Sequence, residues 1–450
     1  MSFSTLRQRL DDLSGQIQPD KQLEALNPDS GIYELVSNRS VDDGNGLVKQ
    51  IVEVLETIPE LSEYKNGIVR SSPSAEGTVD LSVIANWALA QRRLRSADEI
   101  VQRLQEFVST NSAPMTEVIA LWGLHPKSPI KLTDEVYLVR ITDLVPSEAR
   151  DTVTGTEQNR SGRRSLLPRP RCTAAIKRNF KHENILLKPE ERSKSLIAPM
   201  ENVPVTDSFP NFVNTLFERF QEHMRTYPKN RVPDPNTTRM KEIVRCLCLL
   251  KNSSVCELAH WYECPLSTPL IGGVAGWSSQ RMEHIFQFAP EPENYDEISG
   301  RRLVEHFLSL SDGDRKRLYV PLSRLNTALR ETDSPVDKAL DLGIALESLM
   351  GDKDPLDLSY KVRHRGAFFL GGTPDQRRYN FDCFKQLYKL RSKAAHGKNL
   401  GSTVSVFGKQ MATEQFLNEC CIICAQFIRK SIDSGLVSDW DEVMLGFSKT

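Results

Sequence analysis

Arg391 and His396, with Ser392 and Lys393 between them, are the residues of this chain whose types and spacing could do chemistry. A guanidinium is a permanent cation whose fork of donors matches a phosphate, and an imidazole gains and loses a proton near neutral pH. Held close together, the two could grip a phosphodiester, take the proton of an attacking hydroxyl and return one to the leaving oxygen. Ser392 offers a further hydroxyl donor and Lys393 a second cation. A structural alternative stands beside this one: an arginine paired with a core carboxylate and a histidine capping a helix. The residues alone leave both open.

The elements that must position the pair are two helices. Phe381, Phe384, Leu387 and Tyr388 recur at helical spacing, and Gly397 is a natural left-handed stop. Arg391 follows Phe384 by seven residues and falls on the same apolar face, where it requires a carboxylate or a phosphate. His396 lies at the negative end of that helix, which favours its protonated form. An earlier helix opens at Ser334, with Pro335 in its first turn and Asp337 three residues after the cap. It is apolar nearly all round (Leu340, Leu342, Ile344, Leu346, Leu349) yet carries Asp341 and Glu347. Buried carboxylates need partners, so Glu347 is expected to hold and orient Arg391, with Asp341 in a similar supporting place.

The ordered set Ala345-Leu346-Glu347-Ser348-Leu349, then Tyr388-Lys389-Leu390-Arg391-Ser392-Lys393 running into His396-Gly397, resembles the Apea-like HEPN family from about Leu318 to Gly446. Arg391 and His396 match its R-x4-H signature. The resemblance implies an antiparallel helical bundle and a candidate metal-independent endoribonuclease of the toxin or anti-phage type. Histidine would act as acid or base and arginine would steady the phosphorane charge, leaving a 2′,3′-cyclic phosphate. It implies a homodimer through the bundle and RNA, tRNA included, as partner, with a phage-derived trigger or an inhibitory partner in the family's usual company. Catalytic members commonly carry Asn, Asp or His directly after the arginine; here it is Ser392. A non-catalytic module that binds RNA or a protein is therefore the competing expectation, with Arg391 and His396 kept for structure.

The rest of the chain supplies context. Its 450 residues, 39% hydrophobic and 26% charged, suit two or three globular units. A net charge of −1 gives no global attraction to nucleic acid, so such binding must come from local patches. No apolar run approaches a membrane span, and Met1-Ser2-Phe3-Ser4-Thr5 is no secretion signal, so a cytoplasmic protein with reduced thiols is expected. The fold class is mainly α with a mixed α/β middle domain. Residues 1–112 read as helical, with one stretch from Leu81 to Val108 and Arg92, Arg93 and Arg95 on its outside. A break falls at Asn111–Pro114. Residues 115–300 form the mixed domain, with a strand at Val136–Ile141 and helices at Phe212–Met224 and Met240–Leu250. Residues 303–450 read as all helix.

Two basic stretches are RNA-contact candidates weighed against plain solvated surface. One is Lys361, Arg363, His364 and Arg365; the other is the acid-free run containing Arg163, Arg164, Arg169, Arg171 and Arg178. Cys246, Cys248, Cys256, His260 and Cys264 invite a zinc reading, but the C-x2-C spacing that makes such motifs specific is missing. Cys420, Cys421 and Cys424 fit core packing better. No cofactor or metal is expected, and no phosphate-binding P-loop or serine-hydrolase elbow is present.

Overall fold

The structure is a computed structural model, and it describes residues 3–17, 46–71, 76–110, 112–144, 150, 153–154, 172–183, 235–263, 278–279, 293–330, 334–351 and 357–445. It is mostly helical with a smaller β component. The chain divides into two compact units, one of residues 1–120, 139–233 and 258–288, the other of residues 121–138, 234–257 and 289–450.

The first unit begins with helices α1 (Phe3–Asp12) and α2 (Leu47–Leu55), the hairpin β1 (Ile68–Ser71) and β2 (Glu76–Val79), and helices α3 (Leu81–Arg92) and α4 (Ala97–Ser109). Leu6, Leu10, Ile51, Leu55, Ile84, Trp87, Ile100 and Leu104 are fully buried in one cluster. The expected single helix over 81–108 is two. Ser96 caps α4 by accepting from Glu99 N while the Glu99 carboxylate accepts from Ser96 N, and this capping box restarts the helix. The three arginines at the junction are half-buried rather than outside. Arg92 donates to Leu10 O, Arg95 O and Asp11, which ties α3 to the end of α1. At the expected break over Asn111–Pro114 the helix has ended at Ser109 and a strand, β3 (Ser112–Trp122), begins.

The strands that follow are β4 (Ile130–Lys131), β5 (Val136–Arg140), β6 (Ala174–Glu183), β7 (Cys256–Glu263) and β8 (Ser278–Ser279). β6, β3, β7 and β8 are neighbours in that order. One polar cluster is built on three of them. Glu117 of β3 is fully buried; its Oε2 accepts from Arg178 Nε at 3.0 Å and Nη2 at 2.7 Å. Its Oε1 lies 3.0 Å from His260 Nε2 and accepts from Tyr262 Oη at 3.3 Å. His260 and Tyr262 are two apart on β7, so the period-2 alternation puts both on the face that meets Glu117. Arg178, counted in the basic run as an RNA-contact candidate or plain solvated surface, is thus a buried strand residue.

In the second unit, β4 and β5 pair antiparallel, with Ile130 opposite Leu138. Helix α5 (Pro235–Cys246) passes into a short 3-10 turn at Leu247–Leu249. Cys246, Cys248 and Cys256 are buried there, His260 is taken by Glu117, and Cys264 lies outside the described residues. The helices α6 (Glu297–Ser309), α7 (Asp312–Ala328), α8 (Pro335–Met350), α9 (Leu358–Leu370), α10 (Pro374–Ala395), α11 (Thr413–Ser434) and α12 (Trp440–Leu445) then pack together. The main contacts run α7 to α8, α8 to α10, α9 to α10 and α8 to α11. The all-helix expectation for 303–450 misses one hairpin, β9 (Thr403–Val406) and β10 (Lys409–Ala412).

Local chemistry explains the helix starts. Ser334 Oγ accepts from Asp337 N at 3.1 Å with Pro335 in the first turn of α8. Thr373 and Gln376 form a capping box at α10, again with proline next to the cap. Phe416, Cys420, Cys424 and Phe427 line the buried face of α11, and burial pushes the Cys421 thiol up to about 11. No described helix is long and apolar enough to cross a membrane. The stretch Phe212–Met224 lies outside the described residues.

Candidate functional site

Glu347 stands in the last turns of α8 and Arg391 in the last turns of α10, two helices in direct contact. Arg391 Nη2 donates to Glu347 Oε2 at 3.0 Å, with the two side chains 29% and 16% exposed. The partner expected for Arg391 is therefore the one it has. The close approach depends on Gly343, one turn earlier on α8. A Cβ there would overlap Arg391 Cγ and come within 3.0 Å of its Cβ. Gly343→Ala should therefore cost about 1–3 kcal/mol as an overpacked contact and push the guanidinium off Glu347. Thermal unfolding checks it: Gly343→Ala should cost clearly less in an Arg391→Ala background than in the wild type, because the Cγ contact disappears with the side chain.

The pair is only half satisfied. Glu347 Oε1 and Arg391 Nε are both buried with no hydrogen-bond partner among the described residues. Such atoms are rare in folded proteins, and each asks for an explanation in structure or chemistry. The Arg391 guanidinium lies 5.9 Å from the Tyr388 ring centre. Burial, and then the charge of Glu347, raise the Tyr388 hydroxyl above its ordinary pKa, so it remains a protonated donor beside the carboxylate at neutral pH. On the α8 side Glu347 borders a cavity of about 700 Å³, with Arg317, Ser348, Arg365, Asp439 and Trp440 in its wall.

His396 is the C-cap of α10, and Gly397 follows with φ of 63°, the left-handed stop expected there. The imidazole is exposed and has no partner among the described residues. The half-buried Ser392 hydroxyl likewise has none, whereas Lys393 Nζ donates to Leu400 O at 3.3 Å and ties the loop to the helix end. Arg391 and His396 are not joined by a hydrogen bond or an ion pair. Five residues at 3.6 per turn set their Cα positions about 140° apart around the axis, so the two side chains leave the helix on different sides.

The other expected residues distribute as follows. Asp341 does not reach Arg391; it accepts from Arg324 Nη1 at 2.9 Å. Arg365, expected to guide RNA, is 9% exposed; its Nη1 donates to Met350 O at 2.6 Å, and its guanidinium lies over Trp440. It ties the end of α8 to α9 and offers no free cation to solvent. Arg363 is half-buried, with its guanidinium near the rings of Tyr360 and Phe381. Arg163, Arg164, Arg169 and Arg171 lie outside the described residues. No group of three or more His, Cys, Asp or Glu with metal-holding geometry occurs among the described residues. The Glu117 cluster was not foreseen. Its one early signal is a carboxylate opening the otherwise apolar run Val118-Ile119-Ala120-Leu121-Trp122.

Comparison with protein-family models, with curated proteins and with solved structures finds no match to this chain.

Proposed function

We propose that the α7–α11 bundle is an Apea-like HEPN module and that the chain is a metal-independent endoribonuclease, acting on RNA in toxin-type or anti-phage defence. The observation that carries the reading is a half-satisfied Arg391 and, five residues on at the same helix end, an exposed imidazole. A phosphate oxygen would meet the part of the Arg391 guanidinium left exposed while Glu347 holds Nη2. His396, free of partners, is open to a proton from the ribose 2′-hydroxyl.

In this reading the 2′-oxygen attacks the adjacent phosphorus as His396 takes its proton. Arg391 and the Ser392 hydroxyl bear the charge of the phosphorane, and the 5′-oxygen leaves with a proton from an imidazolium. The products are a 2′,3′-cyclic phosphate and a 5′-hydroxyl, with no change in oxidation state. Because Arg391 and His396 leave the helix in different directions, the complete site is proposed to form across a two-fold contact between copies, each lending residues to the other. Light scattering with RNA cleavage over a dilution series tests this: activity per chain should fall together with the dimer. Activity independent of dilution below the dimer's dissociation would contradict it.

A second reading has its own observation. The Glu347 carboxylate already neutralises Arg391, as it would in a structural pair within a binding module. Arg391→Ala and His396→Ala separate the two, since a structural pair predicts lost stability from the first and no effect from the second.

A further inference from the structure

A groove of about 520 Å³ lies between α9, the start of α10 and the β9–β10 turn. Its walls are aromatic and cationic: Phe368, Phe381, Phe407 and His364 with Arg377 and Arg378, and no carboxylate among the described lining residues. Phe368 is 42% exposed and Phe407 50%, large apolar surface for side chains left facing water. Arg377 and Arg378 are exposed, and neither pairs with a carboxylate among the described residues. Below them Tyr360, His364 and Phe381 form a ring stack, His364 4.0 Å from Tyr360 and edge-on to Phe381 at 4.9 Å between centres. Burial, and then the charge of Arg363, lower the His364 pKa and keep that floor uncharged at neutral pH.

Phe407 is held there at a conformational cost. β9 and β10 are joined by the two-residue turn Phe407-Gly408, with φ of 49° and 79°. A turn with both φ values positive favours Asn-Gly; a phenylalanine in the first place is strained and keeps half its surface exposed. Asp382 of α10 fixes the turn by accepting from Phe407 N at 2.6 Å. The ring is thus presented over the groove rather than packed into the fold.

We infer that this groove binds one nucleotide of a single-stranded RNA. The base stacks against Phe407 and Phe368, and its phosphates lie on Arg377 and Arg378. Aromatic faces beside unpaired cations are the chemistry of single-strand recognition, tolerant of sequence because every base has a π-face. The choice of RNA over DNA rests on the proposed nuclease reading; the chemistry of the groove does not. Arg377 and Arg391 are fourteen residues apart on α10, two heptads and about 21 Å along the axis, within about 40° of one line. Between them α10 is buried at Phe384 and Leu387, so the groove is a positioning subsite separate from the proposed cleavage site and remote from the reacting atoms.

The test uses the full chain carrying His396→Ala, so that RNA is not consumed, with a fluorescent ten-nucleotide RNA read by anisotropy against salt. A hairpin duplex and the same sequence in DNA are the comparison arms. Arg377→Ala with Arg378→Ala should weaken single-strand binding about tenfold and flatten its salt dependence by about two phosphate contacts. Phe407→Asn should weaken binding about fivefold or more at an unchanged salt slope while melting at the same or a higher temperature, because asparagine suits the turn. Binding within twofold of the parent for both folded variants overturns the proposal. So does a parent that binds no single strand, or a preference for the duplex. Equal binding of DNA leaves the groove standing and removes only the choice of RNA. Wild-type protein that binds RNA through these residues without cleaving it sinks the nuclease reading alone. Cleavage with KM unchanged in both groove variants sinks the groove alone.

Discussion

Glu117→Ala should lower the stability of the protein by about 3–5 kcal/mol, the largest single effect on folding expected in the chain. Glu117 is fully buried and neutralises Arg178, itself nearly buried, through two hydrogen bonds to one oxygen. His260 and Tyr262 complete the other oxygen. Truncating the carboxylate breaks a buried ion pair, taking from Arg178 the acceptor of two hydrogen bonds and from His260 and Tyr262 a shared one. The cost is that of removing one partner of a buried charge pair. Removing both charges is a different experiment. Glu117→Met with Arg178→Met fills the space with apolar atoms and should recover most of the loss, since a buried ion pair is worth little against well-packed hydrophobic residues. Urea unfolding of the three proteins measures this. A loss below about 1 kcal/mol for Glu117→Ala would mean that water or another group replaces the carboxylate.

The largest expected effect on activity belongs to His396. If its imidazole moves the proton of the 2′-hydroxyl, His396→Ala should cut RNA cleavage by about 10²- to 10⁴-fold, the range for a general acid or base. Its melting temperature should hardly change, because the side chain is exposed and has no partner among the described residues. Arg391→Ala should lose activity and stability together, since Glu347 would keep a half-buried carboxylate without its cation. Both readings predict a stability loss for Arg391→Ala and little for His396→Ala. What separates a catalytic pair from a structural one is the loss of cleavage in the stably folded His396→Ala protein. Folded wild-type protein that binds RNA without cleaving it would favour the binding module.

Much of the bundle was legible because its signals are local. Ser334-Pro335 with Asp337 marks the start of α8, and the helical spacing from Phe381 to Tyr388 marks the buried face of α10. Glu347 could be matched to Arg391 because a carboxylate in an apolar helix needs a cation, and Arg391 shares the apolar face of the helix that ends beside it. The same rule holds for Asp341, buried and paired with Arg324 on the preceding helix, though periodicity tells only that a carboxylate is buried and not which neighbour meets it. The join at Ser96–Glu99 was readable as a capping box, yet the apolar period runs on through it and hides the break.

What stayed hidden is non-local or against propensity. Glu117 lies 61 residues from Arg178 and 143 from His260, and only strand order brings them together. Arg178 accordingly reads as one more cation in a basic run, and His260 as a stray metal ligand. The β9–β10 hairpin escapes because its turn is Phe-Gly, where propensity asks for Asn-Gly or Asp-Gly. Arg365 looks like a surface cation on spacing alone; its long side chain instead folds inward to the end of α8.

The measurement that bears most directly on the proposed function is the end chemistry of RNA fragments. Total cellular RNA and tRNA would be incubated with purified wild-type protein in excess EDTA, with His396→Ala protein alongside. The nuclease reading predicts fragments from the wild type alone, ending in 2′,3′-cyclic phosphate with 5′-hydroxyl partners. Intact RNA with folded, dimeric wild-type protein, or equal cleavage by the His396→Ala protein, would contradict it.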